Sequence, residues 1–207
     1  MKVITKISVQ EKNKKRSNIF LDGNYYCSLS NIVVLQNRLK VGQSIEEQTL
    51  CDIQRESESS EAFDLALSYI SKYTKTKKQL LEYLMRKGYT YPVAFKAVEK
   101  LESYGYVNDE NFAKRYVESN SKNKGKLLIK RELALKGISE KCADNAVNGI
   151  LDESESAFNL AKKYMRGKQN DFKTLQKCYR HLLSKGFSFD SAHDAISKLK
   201  DDLSDAC

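Results

Sequence analysis

Sixteen lysines and arginines gathered in three short stretches carry the strongest chemical signal in this chain. Residues 74–88, 122–137 and 168–186 hold 5, 6 and 5 basic side chains against one acidic side chain each. Their net charges are +4, +5 and +4, together more than the +9 of all 207 residues. Cations fixed in a row bind polyanions by displacing the counterions condensed on phosphates, without reading sequence. The candidate contacts are Lys75, Lys77, Lys78 and Arg86 in the first stretch, and Lys124, Lys126, Lys130 and Arg131 in the second. Lys173, Lys177 and Arg180 complete them in the third. One charged helix face is ordinarily solvated surface. Three stretches with the same sign bias point instead to a long, negative, periodic partner: nucleic acid, or a nucleoprotein filament with acidic grooves.

Catalytic constellations are absent. His181 and His193 stand twelve residues apart, which is not the spacing of a helical metal pair. There is no phosphate-binding G-x-x-x-x-G-K-[ST] loop, no G-x-G-x-x-G and no G-x-S-x-G. A tyrosine nucleophile among the 12 tyrosines would need clustered Arg and His, and none is evident. The expectation is a non-enzyme with no metal and no cofactor. Five cysteines (27, 51, 142, 178 and 207) form no C-x-x-C pair, which fits a reducing cytoplasm. Ile32–Leu35 is the longest apolar run of the N-terminal region, far short of the roughly 20 residues of a membrane span. The polar start predicts no secretory leader and no membrane partner.

The elements that position these cations repeat. Lys-Gly recurs at 87–88, 136–137 and 185–186, with the glycines 49 residues apart both times. Counted from each glycine, Leu84, Leu133 and Leu182 stand at −4, and Leu80, Ile129 and Cys178 at −8. Thr90, Ser139 and Ser188 stand at +2. Ala94, Ala143 and Ala192 follow at +6, Ala97, Ala146 and Ala195 at +9, and Val98, Val147 and Ile196 at +10. The pattern predicts a helix buried at −8 and −4 and ended by a left-handed glycine. A Ser or Thr cap then opens a second helix, whose stripe continues to Leu101, Ile150 and Leu199 at +13. Lysine in the last turn suits the negative end of the helix dipole. Phe63 and Phe112, each 25 residues before their glycines, mark a preceding helix. Phe158 stands 28 before Gly186, so the third copy has an extra turn or a longer loop. Tyr69, Tyr73, Tyr83 and Tyr104 fall at core or rim positions.

The first 55 residues read differently. Val3, Ile4, Ile7 and Val9 are β-prone, and Asp22-Gly23-Asn24 between Ile19–Leu21 and Tyr25–Cys27 signals a hairpin. Ser30 is expected to cap a short helix to about Leu39, and Ser44 another. The Glu56–Glu61 stretch is either a junction or a continuing helix. The expected fold is mainly α: three tandem three-helix repeats behind a small β-rich N-terminal domain. The boundaries are 1–55, 56–105, 106–152 and 153–207.

The segment Gly105-Tyr106-Val107-Asn108-Asp109-Glu110-Asn111-Phe112-Ala113, with Tyr116-Val117, resembles the signature of the RecX family. So do Gly125, Ile129, Glu132-Leu133 and Lys136-Gly137-Ile138, and in the first repeat Gln79-Leu80, Leu84 and Lys87-Gly88-Tyr89. Val107 is a mild departure, as is Thr74-Lys75-Thr76 where an Arg-x-[ST] pattern is common. The third repeat matches more loosely, and the resemblance covers about residues 60–200. It implies an extended, curved array of repeats. It also implies a cytoplasmic regulator of the bacterial RecA recombinase in DNA repair and recombination. Such a protein lodges in the groove of the RecA–DNA filament and modulates ATP hydrolysis and strand exchange, usually by inhibition. Several members also bind DNA. The expected partners are thus the RecA filament and single- or double-stranded DNA, with the chain acting as a monomer. Two other readings are a helical-repeat nucleic-acid binder needing no recombinase, and an enzyme acting on nucleic acid.

Overall fold

The computed structural model describes residues 1–149 and 153–204, with side chains to 201. Ile150 and Cys207 lie outside the described residues. Two compact units emerge, Met1–Thr74 with Leu80–Val107, and Lys75–Gln79 with Asn108 onward.

In the first unit, β1 (Lys2–Val9), β2 (Arg16–Leu21), β3 (Asn24–Ser30) and β4 (Ser44–Ile45) form an antiparallel sheet in the order β3-β2-β1-β4. Strict alternation in β2 sends Ser17, Ile19 and Leu21 inward. The β2–β3 turn is as expected: Asp22 and Gly23 both adopt left-handed conformations, φ 49° and 85°, which match the strand twist. The helix α1 (Asn31–Gln36) starts as anticipated on Ser30, whose hydroxyl accepts from the Val33 amide. Ser44 caps nothing. It pairs with Val3 as part of β4, because the free edge of β1 takes up Ser44–Ile45 and buries Ile45.

The long helix α2 (Glu47–Ile70) begins beyond β4 and runs unbroken through Glu56–Glu61. Its first half contributes Leu50 and Ile53 to the sheet core with Ile4, Ile19 and Leu29. Its second half contributes Ala62 and Ala66 to a separate core with α3 (Lys77–Arg86) and α4 (Tyr91–Ser103). Ser57 lies buried between the two cores, its hydroxyl accepting from the Ser30 amide.

The second unit holds α5 (Asp109–Asn120), α6 (Lys126–Leu135), α7 (Glu140–Asn148), α8 (Glu153–Met165), α9 (Phe172–Ser184) and α10 (Phe189–Ser204). The 49-residue period is structural. Gly88, Gly137 and Gly186 have φ of 95°, 87° and 82°. Past each one the chain reverses onto its helix: Tyr89 N donates to Leu84 O, Ile138 N to Leu133 O and Phe187 N to Leu182 O, at 3.2, 3.1 and 3.3 Å. The −8 and −4 residues and the +6 and +9 alanines are buried in all three copies. Ser139 and Ser188 accept from the amides of Cys142 and Ser191, and Asn108 caps α5 by accepting from Asn111. Tyr69 and Tyr83 stack half-buried at 4.0 Å, whereas Tyr73 and Tyr104 are exposed.

Candidate nucleic-acid interface

The basic stretches lie on the middle helix of each repeat, and those helices meet end to start. Within the second unit, buried Thr76 opens α3 with a reciprocal cap: its hydroxyl accepts from Gln79 N, and Gln79 Oε1 accepts from Thr76 N. The same hydroxyl donates to Lys136 O, the carbonyl that ends α6, at 2.6 Å. Forty-nine residues on, Gly125 N donates to Lys185 O at the end of α9, at 2.9 Å. The amides of Lys77 and Lys126, first residues of α3 and α6, donate to Asp109 and Glu153, first residues of α5 and α8. The negative end of each helix dipole thereby meets the positive end of the next, and a carboxylate completes the cap. Within the second unit α6 and α9 therefore form a file, with the first turn of α3 set against the end of α6.

Not all the candidate cations face a partner. Lys77 and Lys126 are half-buried at these joints, as is Lys75 beside them. The stem of Lys78 lies against Gly137, and its ammonium donates to Leu135 O at 3.3 Å, serving the end of α6. Lys124 binds both oxygens of Glu132 at 2.8 Å, beside the Tyr116 hydroxyl that donates to the same carboxylate at 2.7 Å. Lys130 pairs with Asp144 at 2.7 Å. Arg86, Arg131, Lys173, Lys177 and Arg180 are exposed. Arg131 and Arg180 occupy the same position, six before the glycine, on successive helices. Lys87 and Lys136 lie over the rings of Tyr83 and Tyr116, in keeping with a structural role at helix ends.

The Glu132 contact has a pH signature. Burial acts to raise its carboxyl, but hydrogen bonds from Lys124 and Tyr116 outweigh burial and hold it below the usual range. A depressed carboxyl stabilises the fold above its unfolded pKa of about 4.3 and loses that contribution as pH falls through the lower folded value. Glu132→Gln is expected to cost about 1 kcal/mol at neutral pH and to flatten the acid limb of stability against pH, read by urea titration. An unchanged acid limb would contradict this account.

The histidines offer no joint site. His181 stacks half-buried on Tyr164, and burial, then Lys185 and Lys168, push its imidazole down, so it is neutral at neutral pH. His193 is exposed beside Asp194. Among the described residues, no three His, Cys, Asp or Glu side chains converge on a metal position, and no helix is long and apolar enough to cross a membrane. Cys27 and Cys178 are buried, which pushes both thiols up to about 11 and keeps them from acting as nucleophiles.

The first unit carries a second cationic surface that the repeat arithmetic missed. A cleft of about 1250 Å³ is lined by the β1–β2 turn, α1, α2 and α4, with Lys14 and Lys15 contributed by the turn and Lys96 and Lys100 by α4. Lys14 and Lys15 precede the repeats, and Lys96 and Lys100 are balanced by Glu99 and Glu102 on α4, so no basic stretch marks them.

The family descriptions "Regulatory protein RecX N-terminal domain", "RecX, second three-helix domain" and "RecX, third three-helix domain" match residues 2–46, 108–147 and 152–196. The regulatory protein RecX of Clostridium botulinum (strain Alaska E43 / Type E3) is 32% identical over 204 residues, 96% of either chain. That of Bacillus pumilus is 35% identical over 207 residues, 97% of this chain and 79% of the relative. The chain belongs to the RecX family. A crystal structure of regulatory protein RecX superposes with a TM-score of 0.69 at 28% identity, covering 93% of this chain and 98% of that one. The RecX structure from Lactobacillus salivarius gives 0.63 at 28% identity, over 69% and 97%. Membership explains why the signature residues are mostly architectural. In this RecX-family chain Gly125, Ile129, Glu132 and Leu133 serve the joints and cores of the repeats, and Gly137 ends α6 in a left-handed conformation.

Proposed function

We propose that this RecX-family protein binds the RecA–DNA filament and inhibits its ATPase and strand-exchange activities, as a regulator and not as an enzyme. The observation that carries the reading is the end-to-start file of middle helices bearing exposed Arg131, Lys173, Lys177 and Arg180. Such a file offers cations at a helical-repeat spacing, which suits a polymer whose own charge recurs along its length. Lys75, Lys77, Lys78, Lys124, Lys126 and Lys130 lie at its joints and on its helices and add to the local positive potential, and Arg86 is the further cation of α3. A protein laid along neighbouring recombinase subunits blocks subunit addition or the motions coupled to hydrolysis.

The deciding experiment is the single-stranded-DNA-dependent ATPase of the cognate recombinase with the protein titrated in. Hydrolysis is expected to fall at substoichiometric protein, and the effect to weaken as salt rises. Full hydrolysis at saturating protein, with DNA binding intact, would favour the second reading, a helical-repeat DNA binder acting without a recombinase.

A further inference from the structure

The cleft of the first unit has a layered chemistry that the repeat file does not explain. Its lining includes one exposed face of α2, where Glu56, Ser60, Asp64 and Ser68 recur every four residues. Lys14 and Lys15 of the β1–β2 turn and Lys96 and Lys100 of α4 line it as well. The Lys14–Lys15 turn is pinned to α1: the Asn31 side-chain amide donates to Lys14 O and its backbone amide to Lys15 O, both at 2.9 Å. Lys100 is set over the rings of Phe63 and Tyr104. Among the described residues no ion pair engages any of the four wall lysines, nor Glu56 or Asp64. Arg16 is spent differently. It is held by three hydrogen bonds to Ser28 and paired with Glu61, whose second oxygen is buried without a partner. The cleft thus gathers cations from two elements and unspent acceptors from a third.

We propose that this cleft binds a single-stranded nucleic acid, phosphates on the lysine rims and bases turned down onto the carboxylate floor. The volume exceeds the roughly 300–1,000 Å³ of a small-molecule site and suits a length of polymer. Carboxylates on the floor would repel phosphates but accept from the amino groups of cytosine or adenine, whose Watson–Crick N–H is free only in an unpaired strand. An acidic peptide would meet the lysines equally well, but its own carboxylates would confront Glu56 and Asp64. The inference rests on the reading that the protein works on a nucleoprotein filament, to which it adds a separate grip on the unpaired strand.

The test is fluorescence anisotropy of the full chain with labelled single-stranded oligo(dC) and oligo(dT), without recombinase. Lys14→Glu with Lys15→Glu, and separately Lys96→Glu with Lys100→Glu, are each expected to weaken binding about tenfold or more. Each pair should also cut the logarithmic salt slope by about 1.4. Wild type is expected to prefer oligo(dC) by about three- to tenfold, and Glu56→Gln with Asp64→Asn to erase that preference. Wild-type affinity in either wall variant, equal binding of the two oligonucleotides, or poly-glutamate competing as well as oligo(dC) would each overturn the proposal. Both wall variants leave Arg131, Lys177 and Arg180 intact. Unchanged strand binding beside intact ATPase inhibition therefore removes the cleft alone, whereas no inhibition by wild type removes the filament reading and leaves the cleft to the anisotropy result.

Discussion

Gly125→Ala is expected to lower the stability of the chain by about 3 kcal/mol or more. Gly125 has an ordinary φ of −78°, so backbone strain contributes nothing. The cost is contact. A methyl group there would sit 2.2 Å from Gly186 O and Phe187 N. Both are backbone atoms of the turn that ends α9, and they cannot swing aside as a flexible side chain can. The same few residues carry two joint hydrogen bonds, Gly125 N to Lys185 O and Leu127 N to Gly186 O, at 2.9 and 3.1 Å. Opening the joint to admit the methyl loses both and leaves buried amides unsatisfied. Gly88→Ala is the matched control. Its φ of 95° makes alanine unfavourable, but no atom lies within 4 Å of the added carbon. The cost is then the conformational term alone, about 1–2 kcal/mol. Urea unfolding followed by circular dichroism measures both. Equal losses in the two variants would show that the α6–α9 joint contributes little.

These two glycines also mark how far the sequence could be read. Gly88, Gly137 and Gly186 are legible because their requirement is local: lysine, left-handed glycine and the Ser or Thr that precedes the next helix lie within four residues of each other, although Thr90 makes no side-chain cap bond. The buried stripes at −8, −4, +6 and +9 are legible for the same reason, since helical periodicity is written along one segment. Gly125 carries the same residue type, but its constraint comes from a turn 61 residues away and leaves no local mark. The cations show the same division. That three stretches are basic is plain composition. That Lys124 is tied to Glu132 and Lys130 to Asp144 is not, because separations of eight and fourteen residues are not neighbours on one helix. Ser44 had the residue type of a helix cap and became a strand because an open sheet edge lay beside it. The cleft drew on residues 14–15, 56–68 and 96–100, which only the course of α2 past both cores brings together.

The division of the cations leads to the second large effect. Arg131→Glu, Lys177→Glu and Arg180→Glu together are expected to weaken filament inhibition and DNA binding about 100-fold or more, and to reduce the logarithmic salt slope by about 2. The fold should persist. All three side chains are exposed, none holds an ion pair among the described residues, and exposed helix positions tolerate such changes within about 0.5 kcal/mol each. Lys130→Gln should do the reverse, releasing Asp144 at a small cost in stability while affecting inhibition far less. The single variants sharpen the argument. Arg131 and Arg180 stand at one position on separate middle helices, so each is expected to meet its own phosphate or carboxylate. Their losses should therefore add in free energy, about tenfold each and about a hundredfold together. ATPase inhibition constants for the two single variants and the double variant decide the matter. If Arg180→Glu had no effect in an Arg131→Glu background, the third repeat would not share the partner, and the file of helices would not act as one surface.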